Sequence, residues 1–255
     1  MKPDYKNWVP KGMVFGYSIG AAATLVATVV SGYGGFAKSL VWSIVLFAVF
    51  ALVTVLLLVV SAFMIAWHTA FSYDGKRQLS RRIIEKTAAK VVVPAGGKCL
   101  DVGCGSGRNV DALLKKYDGS FVTAVDYSDE SVKKAKKFNK KNASRCEIKQ
   151  GDVKTLDLPE GEFDLATAFE TVYFWQGIED CFRNVFGILK FGGRFLIVNE
   201  SDGEDETGKK FENIIEGMKV YTAEELTDAL KKAGFSDVKV ARHGKNPWIA
   251  VLATK

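Results

Sequence analysis

The stretch Leu100-Asp101-Val102-Gly103-Cys104-Gly105-Ser106-Gly107 holds the most specific chemistry in the chain. It follows a short apolar run and opens a helical pattern. Glycines there let the backbone turn tightly and approach a ligand, and a helix N-terminus offers free N–H donors to a carboxylate or phosphate. The spacing is GxGxG, whereas the usual dinucleotide loop reads GxGxxG. Asp126 ends the next apolar run, where a carboxylate at the sheet edge accepts hydrogen bonds from both hydroxyls of a ribose. Asp152 follows Gly151 after a third run, placed to accept from an adenine amino group with Val153 beside the ring. Singly, each acid is an ordinary loop or cap residue; in this order they describe a nucleoside site.

A second group closes the fourth apolar run: Phe169, Glu170, Thr171, Val172, Tyr173, Phe174 and Trp175. Its aromatics suit an apolar pocket for a second ligand. Glu170 or Tyr173 is a candidate to take or orient a proton, and Glu170 equally suits a helix cap or a cofactor contact. The two histidines, His68 and His243, sit at the end of a long apolar run and in a short turn, so neither is an obvious base. Cys99, Cys104, Cys146 and Cys181 show no CxxC spacing, which argues for reduced thiols and against a zinc site or a disulfide framework.

To position these residues the chain must alternate strand and helix, the mark of a parallel α/β sheet. The pattern predicts strands near Lys98–Val102, Phe121–Asp126, Cys146–Gln150, Phe163–Phe169 and Arg194–Asn199, with helices near Asn109–Lys116, Asp129–Lys141 and Ile178–Leu189. Thr222 and Glu225 form a capping box that starts a helix running to about Ala233. Strands at Val238–Arg242 and Trp248–Thr254 are joined by His243-Gly244-Lys245-Asn246-Pro247, too short for a parallel crossover, so they form an antiparallel hairpin.

With its loop, acids and closing hairpin, the chain from about Leu79 to Lys255 resembles the Rossmann-like (class I) S-adenosylmethionine-dependent methyltransferases. LDVGCGSG is similar to that family's first motif, AVDYS (Ala124–Ser128) to its ribose-binding strand end, and GDV (Gly151–Val153) to its adenine site. Phe163-Asp164-Leu165 with FETVYFW resembles its fourth strand and substrate loop, and LKFGGRFLIVNE (Leu189–Glu200) the turn and strand that follow, with Phe191 where the family usually has proline. The resemblance implies S-adenosylmethionine as cofactor. It places Gly103, Gly105 and Gly107 under the methionine moiety, Asp126 on the ribose, Tyr127 against the adenine and Asp152 on its amino group. Asp101 orients the loop, Val153 and Phe169 complete the cofactor contacts, and Tyr73 is a candidate for the methionyl end or an interfacial aromatic. Methyl transfer from a sulfonium is an in-line displacement, so alignment of the acceptor supplies much of the catalysis, and a base, Glu170 or Tyr173, serves only some acceptors.

The acceptor class narrows by exclusion. The fourth strand lacks the Asn-Pro-Pro-Tyr or Asp-Pro-Pro-Tyr of the family's amide and adenine-amino modifiers, and there is no Pro-Cys nucleophile. Asp202, Glu204, Asp205 and Glu206 near the active edge disfavour a polyanion. Despite a net charge of +6, nucleic acid is not expected: Lys133, Lys134, Lys136, Lys137, Lys140 and Lys141 fall on one side of a helix opposite Val132, Ala135 and Phe138, a solvated outer face.

The first quarter is lipid-like. Gly12 to Ala37 carries no charged residue, and Ser39 to Trp67 has only Ser39, Ser43, Thr54 and Ser61 as polar side chains. Both runs exceed the roughly 20 residues that span a bilayer. A turn-like Ser31-Gly32-Tyr33-Gly34-Gly35 between them predicts a transmembrane hairpin over residues 1–70, with spans at about 13–32 and 39–67, ahead of a catalytic domain over 71–255. Lys2, Lys6 and Lys11 precede it and Lys76, Arg77, Arg81 and Arg82 follow, with only Lys38 between, which puts the N-terminus and the catalytic domain in the cytoplasm. Residues from Leu79 to Val91 read as a leading helix whose Arg81, Arg82, Lys86 and Lys90 suit anionic headgroups. The sequence thus describes an integral-membrane methyltransferase acting on a small-molecule or lipid acceptor. Two rivals stand beside it. A nicotinamide-dependent oxidoreductase lacks support, because no Tyr is followed four residues later by Lys and the glycine spacing is wrong. A non-catalytic membrane adaptor on the same scaffold is opposed only by the intact cofactor positions.

Overall fold

The computed structural model describes residues 11–32, 40–71, 91–204, 206–242 and 248–255. The expected turn at 33–35, the cations Lys2, Lys6, Lys38, Lys76, Arg77, Arg81 and Arg82, Tyr73, the leading helix at 79–90, Asp205 and the 243–247 link lie outside the described residues. The chain divides into two units, one over Lys6–Lys76 and one holding Arg77–Lys255.

In the first unit, α1 (Lys11–Gly32) and α2 (Leu40–Phe71) run antiparallel. Thr28 and Thr54 meet through their hydroxyls at 3.3 Å, and a Cβ at Gly20 would lie 3.5 Å from Leu57. The side chains buried between the helices are small or hydroxyl-bearing: Ala21, Thr28, Thr54 and Ser61. Phe15, Ile19, Leu52, Leu56 and Val59 are instead largely exposed. The pair thus buries small side chains, which lets two helices approach closely. The two threonine hydroxyls are satisfied within their own helices, Thr54 donating to the Phe50 carbonyl at 2.7 Å and Thr28 to that of Thr24 at 2.8 Å, whereas the Ser61 hydroxyl has no partner among the described residues. Among the described residues one helical stretch is long and apolar enough to cross a bilayer, Ile44–Ile65, and α1 contributes the shorter apolar stretch Phe15–Val30.

The second unit is built on seven strands: β1 (Lys98–Val102), β2 (Phe121–Asp126), β3 (Cys146–Gln150), β4 (Phe163–Phe169), β5 (Leu189–Asn199), β6 (Ser236–Arg242) and β7 (Ile249–Thr254). Their order is β3-β2-β1-β4-β5-β7-β6. The first five are parallel, and β7 runs antiparallel between β5 and β6, as the expected terminal hairpin requires. Helices α3 (Arg108–Lys116), α4 (Asp129–Phe138), α5 (Ile178–Ile188), α6 (Glu206–Ile214) and α7 (Ala223–Lys232) complete it. α7 opens on the predicted capping box, with Thr222 and Glu225 exchanging both bonds.

Three departures from the sequence reading have local causes. β5 starts at Leu189, before the expected Arg194, because Leu189 pairs with Phe163 ahead of an irregularity that the Gly192-Gly193 turn absorbs. α4 stops at Phe138 and passes into a short 3-10 turn, Lys140–Asn142, because the Asn139 amide reaches the carbonyls of Gly107 (2.7 Å) and Ala135 (3.1 Å). Its lysines face outward and Val132 and Ala135 inward as expected, but Phe138 is 38% exposed, lying under the Arg108 guanidinium at 4.8 Å. α6 has no counterpart among the expected helices.

The sheet divides the core. One face packs Phe163, Phe182 and Phe195 against Trp175, Leu226 and Leu230; the other packs Cys99, Leu165 and Leu196 with Leu113 of α3 and Ala135 of α4. Each large side chain withdrawn from water contributes about 1.5–3 kcal/mol, and the sheet so fixed presents the C-terminal ends of β1 to β5 as one edge.

Candidate active site

That edge is built from the β1 end outward. The N–H groups of Gly103 and Cys104 both donate to the Val125 carbonyl, at 2.8 and 3.0 Å, stitching the glycine loop to β2. Gly103, Gly105 and Gly107 lie at φ +76°, +54° and +77°. A Cβ at Gly103 would fall 2.1 Å from the Thr171 hydroxyl, and one at Gly107 would fall 2.8 Å from the Ala135 Cβ. Left-handed backbone and close contacts together restrict positions 103 and 107 to glycine.

Asp126 braces the loop. One carboxylate oxygen accepts from Gly105 N at 2.8 Å and the other from Ser128 N at 2.9 Å. Each oxygen keeps a lone pair for a ligand. Burial raises the carboxyl above the usual carboxylate range, against the lowering effect of those two N–H groups. Asp101 lies deeper and is fully buried. Its Oδ1 accepts from the Thr167 hydroxyl at 2.9 Å, while its Oδ2 has no partner. Burial pushes this carboxyl up to about 7, Thr167 pulling it down and the nearby Asp126 charge adding to the rise.

The remaining cofactor positions are distributed along the same edge. Tyr127 is half-buried, its carbonyl accepting from Gln150 Nε2 at 2.9 Å. Asp152 is exposed and caps a short 3-10 turn by accepting from Lys154 N at 2.9 Å. Phe169 is buried on the glycine-loop side of the sheet. Val153 differs from its expected place beside an adenine: its side chain is buried in the opposite core, and Asn184 Nδ2 holds its carbonyl at 2.8 Å.

The two candidate proton carriers are bonded to each other. Glu170 takes a left-handed conformation (φ 56°), its N–H donating to the Val198 carbonyl at 2.9 Å. One carboxylate oxygen accepts the Glu200 N–H and, at 3.4 Å, the Tyr173 hydroxyl. That hydroxyl accepts in turn from Ser201 N at 3.2 Å. Burial and then the Glu170 charge hold the Tyr173 phenol well above its ordinary value, so it is a donor at neutral pH. Trp175 does not line a pocket. It stacks on Phe195 at 6.3 Å, meets Phe182 edge-on and donates to the Thr171 hydroxyl at 3.3 Å. Phe174 stays half-buried. Burial raises the thiols of Cys99 and Cys181 to about 12, which removes them as nucleophiles.

Sequence reasoning passed over Thr167, Asn109 and Asn199. All three are buried polar groups near the strand ends; Asn109 Oδ1 and both amide atoms of Asn199 have no partner. A signal existed for two of them: Thr167 and Asn199 interrupt otherwise apolar strands, Leu-Ala-Thr-Ala and Leu-Ile-Val-Asn.

Residues 100–197 match the family model described as a methyltransferase domain. Over this stretch the chain is similar to methyltransferase domains. The sterol 24-C-methyltransferase of Yarrowia lipolytica is 26% identical over 206 residues, covering 74% of this chain and 54% of that protein. The chloroplastic 2-methyl-6-phytyl-1,4-hydroquinone methyltransferase of Spinacia oleracea is 28% identical over 145 residues, covering 57% of this chain and 41% of that protein. The chain thus spans about half or less of the curated relatives it matches. Among solved structures, Haemonchus contortus phosphoethanolamine N-methyltransferase 2 in complex with S-adenosyl-L-methionine superposes with a TM-score of 0.61 at 18% identity, over 72% of this chain and 54% of that one. The enzyme class and cofactor expected from the motifs are borne out at the level of the domain.

Proposed function

We propose that this chain transfers a methyl group from S-adenosylmethionine to a small, largely apolar acceptor, and that α1 and α2 anchor it in a membrane as a hairpin with both ends cytoplasmic. The observation that carries the reading is the glycine loop cross-braced to Asp126 beside the unpartnered Oδ2 of Asp101. The residues present fit the cofactor. Glycines at 103 and 107, too crowded for a Cβ, let a ligand approach the backbone closely, and a buried carboxylate oxygen without a donor suits a cationic amino group.

When bound, the cofactor supplies an electrophilic methyl on a sulfonium. Gly103, Gly105 and Gly107 would hold its methionyl part, Asp101 its charge, Asp126 the ribose with its spare lone pairs, and Tyr127 and Asp152 the base. The protein's share of catalysis is alignment and exclusion of water, since an in-line displacement gains most from a fixed approach. Where the acceptor loses a proton, Glu170 is the candidate carboxylate, and the Tyr173 hydroxyl bonds to it.

Sterols and a phytyl hydroquinone in the names of relatives support an apolar acceptor, while phosphoethanolamine in another name supports a small polar one. The small-residue packing of α1 and α2, the length of Ile44–Ile65 and the cations flanking both runs support the anchor. Calorimetric titration of the detergent-solubilised chain with S-adenosylmethionine tests the first claim; a folded protein that gives no binding heat refutes it. Alkaline carbonate extraction tests the second: the chain stays in the membrane pellet, and release into the supernatant rejects the anchor.

A further inference from the structure

The segment that leaves β5 and returns to α7 lies at the same edge as the site, because β5 ends there at Asn199 and α7 begins there at Ala223. Within it, α6 carries Gly208, Phe211 and Glu212 as a buried or half-buried face that Ile215 continues just past its end, while Lys209, Lys210 and Asn213 are exposed. That spacing of three and four residues is the amphipathic pattern of a helix laid over something apolar. Met218, in the turn that follows, is also half-buried.

The ends of this segment are held by hydrogen bonds, and both sets converge on one residue. The Tyr173 hydroxyl accepts from Ser201 N at 3.2 Å, just after β5. The Tyr173 carbonyl accepts from Lys219 N at 2.8 Å, just beyond α6 and its turn. Glu170, which accepts the Tyr173 hydroxyl proton, also accepts the Glu200 N–H. On the outside, Arg242 pairs with Asp202 and, at 2.5 Å, with Glu204. The segment is therefore tied at entry and exit to the loop after β4, and its half-buried apolar face lies between those ties.

We infer that Tyr173 is a positioning residue that sets α6 and its following turn as the wall of the acceptor site, and that Phe211, Ile215 and Met218 on this wall select an acceptor with an apolar body. This rests on the methyltransferase reading and names its acceptor class. A proton-carrying role for the hydroxyl fits less well, because its lone pair already serves Ser201 and its proton serves Glu170. Trp175 is committed to the core, which takes the largest aromatic of the loop after β4 out of the acceptor site. Glu212, on the same face, gives the wall one polar contact beside its apolar ones.

The test uses the full chain in detergent, first confirmed to bind S-adenosylmethionine; failure at that step refutes the methyltransferase reading itself. Tyr173→Phe keeps the ring and removes the hydroxyl. In hydrogen exchange, the Ser201 amide and the α6 peptide should then exchange about tenfold faster, as expected for one lost bond. The glycine loop at 103–107 should be unchanged, which a general loosening of the core would not allow. If Tyr173→Phe does not fold, Glu170→Gln weakens the same hydroxyl bond with every ring kept, and the same peptides are read.

The acceptor arm incubates the chain with methyl-tritiated S-adenosylmethionine and a whole-cell extract, then partitions the label between chloroform and water. Label should enter the chloroform phase. Phe211→Ser should raise the amount of extract giving half-maximal transfer about fivefold while leaving cofactor affinity within about twofold, as for a change removed from the cofactor contacts. Unchanged exchange of Ser201 and α6 in Tyr173→Phe overturns the positioning role. Absence of label from the chloroform phase, or an unaltered half-maximal point in Phe211→Ser, overturns the acceptor class.

Discussion

The two halves of the active edge are built by different means. On the β1–β2 half, position is written into the backbone: two N–H groups share the Val125 carbonyl, three glycines are left-handed, and Asp126 braces Gly105. On the β4–β5 half, position comes from side chains crossing between loops, with Glu170 and Tyr173 reaching Glu200 and Ser201. A cofactor of fixed shape suits the first arrangement. An acceptor that differs from one enzyme to the next suits the second, because side-chain ties can be changed one at a time without rebuilding a loop.

If this contrast is right, one added methyl group should be ruinous on the first half. Gly103→Ala combines a left-handed backbone with a Cβ 2.1 Å from the Thr171 hydroxyl. We expect a loss of about 4 kcal/mol in denaturant unfolding, from conformational strain plus overpacking, and no measurable cofactor binding. Gly192→Ala separates the two causes, since Gly192 has φ +76° but nothing within 4 Å of an added Cβ. It should lose only about 1 kcal/mol. Equal losses at the two positions would mean that the crowding at Gly103 is readily relieved.

The same contrast explains what the sequence disclosed. Glycine spacing, a strand-end acid and a capping box are local signals, so β1 to β4 and the start of α7 could be placed from residue types alone. Tyr173 bonds to Ser201 across 28 positions and Arg242 to Asp202 across 40; no local pattern encodes such pairs. α6 escaped notice because its apolar face holds few residues and sits behind an acidic turn that reads as loop. Trp175 and Val153 were misplaced for a related reason. A residue at a strand end can turn toward solvent or core, and only packing decides which.

Asp101 offers the next largest effect, and its sign is opposite to that of an ion-paired acid. Its folded value of about 7 lies above the unfolded value of about 3.9. Between those values the folded state holds a proton that the unfolded state has lost, so stability falls as pH rises from about 4 to 7 and is level in this term above that. A shift of this size corresponds to at most about 4 kcal/mol, and about 2–3 kcal/mol is expected. Asp101→Asn should therefore gain on the parent protein as pH rises, most of all at pH 8. A parallel pair of stability–pH curves would show that Asp101 is ionised throughout. Because a cationic ligand group favours the carboxylate, cofactor binding near pH 7 should also release protons from the parent and fewer from the variant, measurable by calorimetry in buffers of different ionisation enthalpy.

Asp126→Ala should cost about 2 kcal/mol of cofactor affinity, roughly thirtyfold in Kd, by removing a charged acceptor of ribose hydroxyls. It also strips Gly105 and Ser128 of their acceptor. Faster hydrogen exchange at those two amides should accompany the weaker binding. A drop in affinity with both amides still protected would place the ribose contact elsewhere.

The smallest effect tests whether the side-chain ties on the β4–β5 half hold real strain. Glu170 adopts φ 56° without being glycine. Glu170→Ala and Glu170→Gly both delete the carboxylate and its two bonds, so the pair differs in backbone freedom alone. In ordinary helix or strand, alanine is the more stable of the two by about 0.5–1 kcal/mol. Where the fold imposes a left-handed backbone the order reverses, and glycine should be favoured by about 1 kcal/mol in urea unfolding. The reversal would mean that the Val198 carbonyl, which accepts the Glu170 N–H, enforces the bend even without the carboxylate. Alanine retaining its advantage would mean that the Glu170 side chain creates the bend by reaching Glu200 and Tyr173, and that the acceptor half relaxes once those ties are cut.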